Sequence, residues 1–128
     1  ELDLNASRSQ VHGDAVQLQQ VLLNLVLNAI DSMASVYDRP RTLRLTTAVV
    51  AETQLQVRVE DNGQGLASDA PGRIFEPFYT TKANGMGMGL AICRSIVEAH
   101  KGEILAAPRL PFGAMFVFSL PLTPIVLS

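Results

Sequence analysis

The feature that most constrains the fold is a predicted helix over residues 15–34 whose side chains are apolar around most of its circumference. Asp14 is a candidate N-cap residue before it. A helix of this kind has to be largely buried, with its polar side facing something specific. Its apolar residues are Leu18, Val21, Leu22, Leu25, Val26, Ala29 and Ile30.

Strand patterns and a second helix surround this element. Strands are predicted at residues 41–50, 53–60, 103–107 and 114–120, and residues 1–12 are predicted to contain one or two short strands. Ala51-Glu52 should join the middle pair as a hairpin, and the second helix, over residues 90–100, should end at Lys101-Gly102 as at a glycine C-cap. This order predicts an α/β two-layer sandwich, with a mixed, mostly antiparallel sheet of about five strands and helices on one face.

Composition limits the class of protein. The chain has 128 residues, 48% of them hydrophobic, which suits one domain with its own core. A net charge of -2 offers no basic surface, so nucleic acid is not an expected partner. Cys93 is the single cysteine and fits a reducing compartment. With no membrane-spanning run and no signal peptide, we expect a cytoplasmic piece without membrane contact, cut from a longer protein whose anchor, where it has one, lies elsewhere.

Four polar residues form a stripe on the first helix. Gln20, Asn24, Asn28 and Asp31 are spaced by four, four and three residues, which places them within an arc of about 80°. A solvated face more often carries lysine and glutamate, and asparagine is a poor helix former, so the stripe favours a cleft. An asparagine carbonyl is a hard, neutral ligand that suits Mg²⁺ without repelling a triphosphate.

The segment Asp61-Asn62-Gly63-Gln64-Gly65 follows directly on a predicted strand. One interpretation is a tight turn, because these residue types tolerate left-handed backbone. The other is a base-binding site, in which the Asp61 carboxylate accepts a hydrogen bond from an exocyclic amine and the glycines admit a planar ring. The segment alone leaves both open.

A second glycine segment, Gly85-Met86-Gly87-Met88-Gly89-Leu90, opens the second helix. Unpaired amides and the helix dipole favour phosphate there, although a hinge would use the same residues. The segment matches neither the Rossmann fingerprint nor a P-loop. Lys82 comes three residues before these glycines, so its ammonium either reaches a terminal phosphate or is exposed to solvent. Phe75 and Phe78 are either core residues or part of the site.

In this order, the segments resemble the catalytic domain of sensor histidine kinases in the GHKL superfamily. Residues 20–33 resemble the N box, 61–65 the G1 box, 75–82 the F box and 85–90 the G2 box. The similarity covers nearly the whole chain, and it implies the Bergerat fold. Thr80-Thr81-Lys82 in a short ATP lid is most similar to the nitrogen-regulation and oxygen-sensing kinases. One departure is Lys101, where many relatives have a glycine.

The resemblance implies ATP and Mg²⁺ as ligands. Asn28 would coordinate Mg²⁺, Asn24 would assist at the metal or the phosphates, and Asp61 would read the adenine amine. Asn24, Asn28 and Lys82 are the catalytic candidates. The other residues expected at the nucleotide are Asp31, Gly63, Gly65, Phe75, Phe78, Thr81, Gly85, Met86, Gly87, Met88, Gly89 and Leu90.

Two further functions stay open beside a kinase. The related ATPases (gyrase B, MutL and the heat-shock chaperones) carry a water-activating glutamate four residues before the metal asparagine, where this chain has Asn24. Because an amide cannot accept a proton as a carboxylate does, phosphoryl transfer is favoured over hydrolysis. Asp31 nonetheless resembles the Asn-Ala-x-Asp pattern of those ATPases. A degenerate nucleotide-binding module without transfer activity is the other alternative.

The phosphoacceptor is expected outside these residues. Neither His12 nor His100 is followed by the acidic and proline-containing signature of an acceptor helix. Residues 1–128 are therefore expected to be a single catalytic domain, monomeric alone, without the dimerisation and sensor domains. The resemblance implies three partners, which are ATP, the histidine-bearing dimerisation domain and, downstream, a response regulator receiver domain.

Overall fold

The computed structural model describes residues 2–4, 10–11, 15–65, 73–76 and 89–123. The predicted strands and helices are confirmed there, with ends that differ by a few residues. In chain order the elements are β1 (Leu2–Leu4), β2 (Gln10–Val11), α1 (Ala15–Ser32), β3 (Leu43–Val50), β4 (Gln54–Asp61), α2 (Gly89–Ala99), β5 (Glu103–Pro108) and β6 (Ala114–Thr123). None of the helices in the described part is long and apolar enough to cross a membrane.

The strands form one mixed sheet in the order β1-β3-β4-β6, and β5 lies on the other side of β6. The β3–β4, β4–β6 and β5–β6 pairs are antiparallel, whereas β1 runs parallel to β3. The short β2 pairs antiparallel with the end of β6. Helix α1 contacts β4 and α2, and α2 contacts β5 and β6. The predicted two-layer sandwich is confirmed.

The core lies between the helices and one face of the sheet. Val57 and Val59 alternate on β4 with outward residues, and their cross-strand partners on β6 are Phe118 and Phe116. Helix α1 supplies Val21, Leu25 and Ala29 at a spacing of four, which puts them on one side of the helix. The burial of these apolar side chains is the main driving force for the fold.

The expectation that α1 is largely buried is correct for only one side of the helix. Leu23, Leu27 and Ile30 are 52–56% exposed on the side that faces away from the sheet. The sandwich has two layers, and no described element covers the outer side of α1. A helix can therefore be apolar over most of its surface while it packs along a single face.

The β3–β4 hairpin turns at Ala51 and Glu52, as predicted. Both residues have positive φ values, 55° and 61°. With Thr53 they form the three-residue connection between the paired residues Val50 and Gln54. The turn is closed by the Thr53 N–H, which donates to the Val50 carbonyl at 3.2 Å.

Helix α2 ends in a Schellman motif. The Gly102 N–H donates to the Val97 carbonyl and the Lys101 N–H to the Glu98 carbonyl, both at 2.9 Å. The left-handed residue is Lys101, with φ 63°, and not the glycine. Gly102 serves a different purpose, because a Cβ there would lie 2.0 Å from the Ser119 carbonyl oxygen of β6.

Replacing Lys101 with glycine should stabilise the protein by about 0.5–1 kcal/mol, because glycine adopts left-handed geometry without a steric cost. The matched variant Gly102→Ala should instead lose about 1–3 kcal/mol through the clash with β6. Urea denaturation of both variants measures the two free energies of unfolding. Destabilisation by Lys101→Gly would contradict this account of the helix end.

Candidate functional site

Asp61 is the last residue of β4, and its side chain is only 1% exposed. Its carboxylate accepts hydrogen bonds from the Gly63 N–H at 2.8 Å, from the Ala114 N–H and from the Ser32 hydroxyl. A carboxylate has about four acceptor positions. Donors from the described residues occupy three of these positions.

Burial has the largest effect on the acidity of Asp61. It raises the pKa of the carboxyl above the ordinary value of 3.8, whereas the hydrogen bonds from Gly63, Ala114 and Ser32 and the charge of Arg109 act in the opposite direction. The raised pKa shows that removal from water outweighs the three donors. An additional donor from a ligand would therefore stabilise the ionised form.

The chain after Asp61 docks closely on the end of α1. The Gln64 N–H donates to the Ser32 carbonyl at 3.3 Å. Gly63 permits this approach, since a Cβ there would lie 2.5 Å from the same carbonyl oxygen. Gly65 has φ 83°, a conformation that favours glycine. The glycines of this loop are thus required by a turn and by close approach to α1.

Residues between α1 and β3 hold the loop from outside. The Asn62 side chain accepts from the Thr42 N–H at 2.9 Å and donates to the Pro40 carbonyl at 2.6 Å. Arg39 donates to the carbonyls of Asn62 and Gly63. On the side of β6, a Cβ on Gly113 would lie 1.9 Å from the Asp61 carbonyl oxygen, so this position also needs glycine.

The asparagine stripe lies at the border between the core and the surface. Asn24 and Asn28 are half-buried, whereas Gln20 and Asp31 are exposed. The Asn24 amide is hydrogen-bonded to the thiol of Cys93 on α2. Burial raises the pKa of that thiol to about 11, so it is protonated at neutral pH. Asn24 therefore faces the junction of the two helices.

One side of α1 connects the stripe to Asp61. Ser32, which donates to Asp61, follows Asn28 by four residues and Asn24 by eight. At 1.5 Å per residue, Asn28 and Asn24 lie about 6 Å and about 12 Å from Ser32 along the helix axis. The carboxylate and the two amides are thus aligned along α1.

The donor set fits a hard cation that takes most of its ligands elsewhere. No group of three or more His, Cys, Asp or Glu able to hold a metal occurs in the described part of the chain. Magnesium usually keeps water and substrate phosphates as ligands and needs only one or two oxygens from the protein. The amide oxygens of Asn28 and Asn24 are compatible with that role.

The remaining predicted site residues fall into three groups. Phe75 lies in the core, edge-on to Phe116 with ring centroids 6.2 Å apart, and its contact with a ligand stays a prediction. Gly89 and Leu90 are the first residues of α2, and a Cβ on Gly89 would meet no atom of the neighbouring described elements within 4 Å. The others lie outside the described residues, and they are Phe78, Thr81, Lys82, Gly85, Met86, Gly87 and Met88.

Sequence reasoning missed four residues that shape the site, which are Ser32, Arg39, Arg109 and Gly113. Arg39 and Arg109 belong to no motif. Ser32 lies within residues 20–33, which resemble the N box, and Gly113 lies in the turn before the last predicted strand, but neither was given a role of its own. Their contacts with residues 61–63 join segments far apart in sequence, which a local pattern does not report. His100 is at the end of α2, with Nδ1 2.8 Å from the Ile96 carbonyl oxygen.

Titration of the Asp61 carboxyl by carbon-detected NMR should give a pKa above 3.8. Because the folded-state pKa is raised, the stabilisation from protonating Asp61 is present at low pH and is lost as the pH rises through that pKa. Asp61→Asn identifies the resonance by removing it. A measured pKa at or below 3.8 would show that the three donors, and not burial, dominate.

Comparisons with known proteins identify the family and the fold. Residues 13–124 match the family model described as histidine kinase-, DNA gyrase B-, and HSP90-like ATPase. The chain is 43% identical to the sensor histidine kinase TmoS of Ectopseudomonas mendocina over 88% of this chain, but it spans only 12% of that protein.

Two solved structures have the same fold. The catalytic domain of histidine kinase ThkA, in a nucleotide-free form, is 33% identical with a TM-score of 0.80, over 96% of this chain and 78% of that one. Full-length ShkA in complex with AMPPNP is 29% identical with a TM-score of 0.80, over 99% of this chain and 26% of that one.

Proposed function

Since this chain belongs to the family of histidine kinase-, DNA gyrase B- and HSP90-like ATPases, as an ATP-binding catalytic domain of the sensor histidine kinase type, we propose that it binds Mg-ATP and donates the γ-phosphoryl group to a histidine on a separate dimerisation domain. One observation carries the proposal. The buried Asp61 carboxylate is aligned with Asn28 and Asn24 along one side of α1.

Asp61 recognises the adenine end of the nucleotide. Its fourth acceptor position takes a hydrogen bond from the exocyclic amine. Gly63 and Gly65 contribute by letting the loop after Asp61 pack against Ser32 and Gly113. ShkA, one of the proteins of the same fold, was solved with the ATP analogue AMPPNP. A nucleotide bound in this orientation extends its phosphates along α1 towards the asparagines.

Asn28 holds the metal at the phosphate end, with Asn24 beside it. Mg²⁺, when bound, neutralises charge on the phosphates and orients them. The backbone amides of Gly89 and Leu90 at the start of α2 contact the phosphates in this proposal, because a helix N-terminus favours anions. Lys82, Thr81 and the glycines between residues 85 and 89 complete this end of the proposed site, on the strength of the sequence alone.

Transfer, and not hydrolysis, follows from the amide at position 24. The acceptor imidazole attacks the γ-phosphorus as its bond to the bridging oxygen breaks, and the domain supplies position and charge neutralisation. Hydrolysis would need a base to take a proton from water, and the Asn24 amide does not accept one. The receiver domain of a response regulator then takes the phosphoryl group from the histidine.

Binding of a non-hydrolysable ATP analogue should require Mg²⁺ and should weaken at least about tenfold in Asp61→Asn, because the variant replaces an acceptor with a donor. In Asn28→Ala the affinity for the analogue should depend little on Mg²⁺, because the variant lacks the proposed metal ligand. Glu52→Gln, which also removes one carboxylate but in the exposed β3–β4 turn, is the matched control. Calorimetry gives the constants, and unchanged binding by Asp61→Asn would rule out the adenine assignment.

Transfer is tested with γ-labelled ATP and the dimerisation domain of the full-length protein added in trans. The expected product is an acid-labile label on a histidine of that domain, and no label on residues 1–128 alone. Rapid phosphate release without protein labelling would indicate an ATPase instead. Intact Mg-ATP binding with neither product would indicate a degenerate module.

A further inference from the structure

Arg39 joins the loop of residues 61–65 to the turn before β6. Its Nε donates to the Asn62 carbonyl at 3.1 Å, and its Nη2 donates to the carbonyls of Asn62 at 2.8 Å and Gly63 at 3.0 Å. The guanidinium carbon lies 3.8 Å from the centroid of the Phe112 ring. The side chain is 19% exposed, so these contacts are largely shielded from water.

Both segments that Arg39 touches supply donors to Asp61. The loop supplies the Gly63 N–H, and the turn that contains Phe112 and Gly113 leads directly into Ala114, whose N–H is the second backbone donor. Gly113 is in contact with the Asp61 carbonyl from this side. Arg39 therefore fixes the two backbone segments whose separation determines where the Asp61 carboxylate is held.

We propose that Arg39, stacked on Phe112, is a positioning residue for the nucleotide site, which orients the Asp61 carboxylate through the peptide of Gly63. The nucleotide part of this inference rests on the proposed function. Arginine suits the role because a planar guanidinium donates several hydrogen bonds in one plane while its face stacks on an aromatic ring. A lysine ammonium has no such plane, so it cannot make the same set of contacts.

The chain contains a matched control on the same segment. Arg41 donates through Nε to the Val36 carbonyl at 3.1 Å and through Nη2 to the Ala34 carbonyl at 3.0 Å. Its guanidinium carbon lies 5.3 Å from the Tyr37 ring centroid. These bonds stabilise the chain after α1, whereas those of Arg39 go to the loop. Arg39→Ala and Arg41→Ala thus remove the same kind of interaction from different places.

The test measures two properties of each variant. One is the Kd for a Mg²⁺-bound ATP analogue, by calorimetry, and the other is the hydrogen exchange rate of the Gly63 N–H in nucleotide-free protein, by NMR. Arg39→Ala should raise the Kd at least about tenfold and should speed exchange by a similar factor. The Kd and the Gly63 exchange rate of Arg39→Lys should be close to those of Arg39→Ala. In Arg41→Ala both values should stay within about twofold of those of the parent protein. Thermal unfolding of every variant reports any general loss of stability.

Phe112→Ala is the second variant, which removes the aromatic ring under Arg39 and serves if Arg39→Ala does not fold. It leaves the arginine in place, and both measures should shift in the same direction by a smaller factor. Equal effects of Arg39→Ala and Arg41→Ala, or unchanged Gly63 exchange in Arg39→Ala, would overturn the inference. If the parent protein does not bind the analogue, the proposed function fails, while Gly63 exchange still decides whether Arg39 orders the loop.

Discussion

The site depends on the burial of one carboxylate at the end of a central strand. Removing a carboxylate from water is costly unless hydrogen bonds replace the lost solvent. For Asp61 the donors come from three places, which are the end of α1 at Ser32, the following loop at Gly63 and the start of β6 at Ala114. The fold therefore has to bring the ends of α1, β4 and β6 to one point.

Much of the local sequence follows from that convergence. Gly63 and Gly113 have no room for a side chain, because Ser32 lies against the first and the Asp61 backbone against the second. The same docking aligns α1 with Asp61, so that residues on one side of the helix lie at increasing distance from the carboxylate. In the proposed function, a base at Asp61 and phosphates at the asparagines would form one binding site, because both ends are built along a single helix.

Patterns local in sequence predicted most of the fold, and long-range contacts account for what they missed. Strand and helix periodicity located the elements, and the order of the motifs connected the asparagine stripe with Asp61. The same reasoning could not separate Arg39 from Arg41, since their difference is which carbonyls they reach. It also assigned the helix stop to glycine, whereas Lys101 takes the left-handed geometry and Gly102 makes room for β6. The exposed side of α1 was missed because an apolar pattern does not reveal how many layers cover it.

The most direct test of the central claim compares the binding of ATP and ITP, which carries a carbonyl oxygen in place of the exocyclic amine. If Asp61 accepts a hydrogen bond from that amine, ITP brings an acceptor against a buried carboxylate and removes the donor that the amine supplied. ATP should then bind at least about tenfold more tightly than ITP. Equal affinities for the two nucleotides would contradict the account.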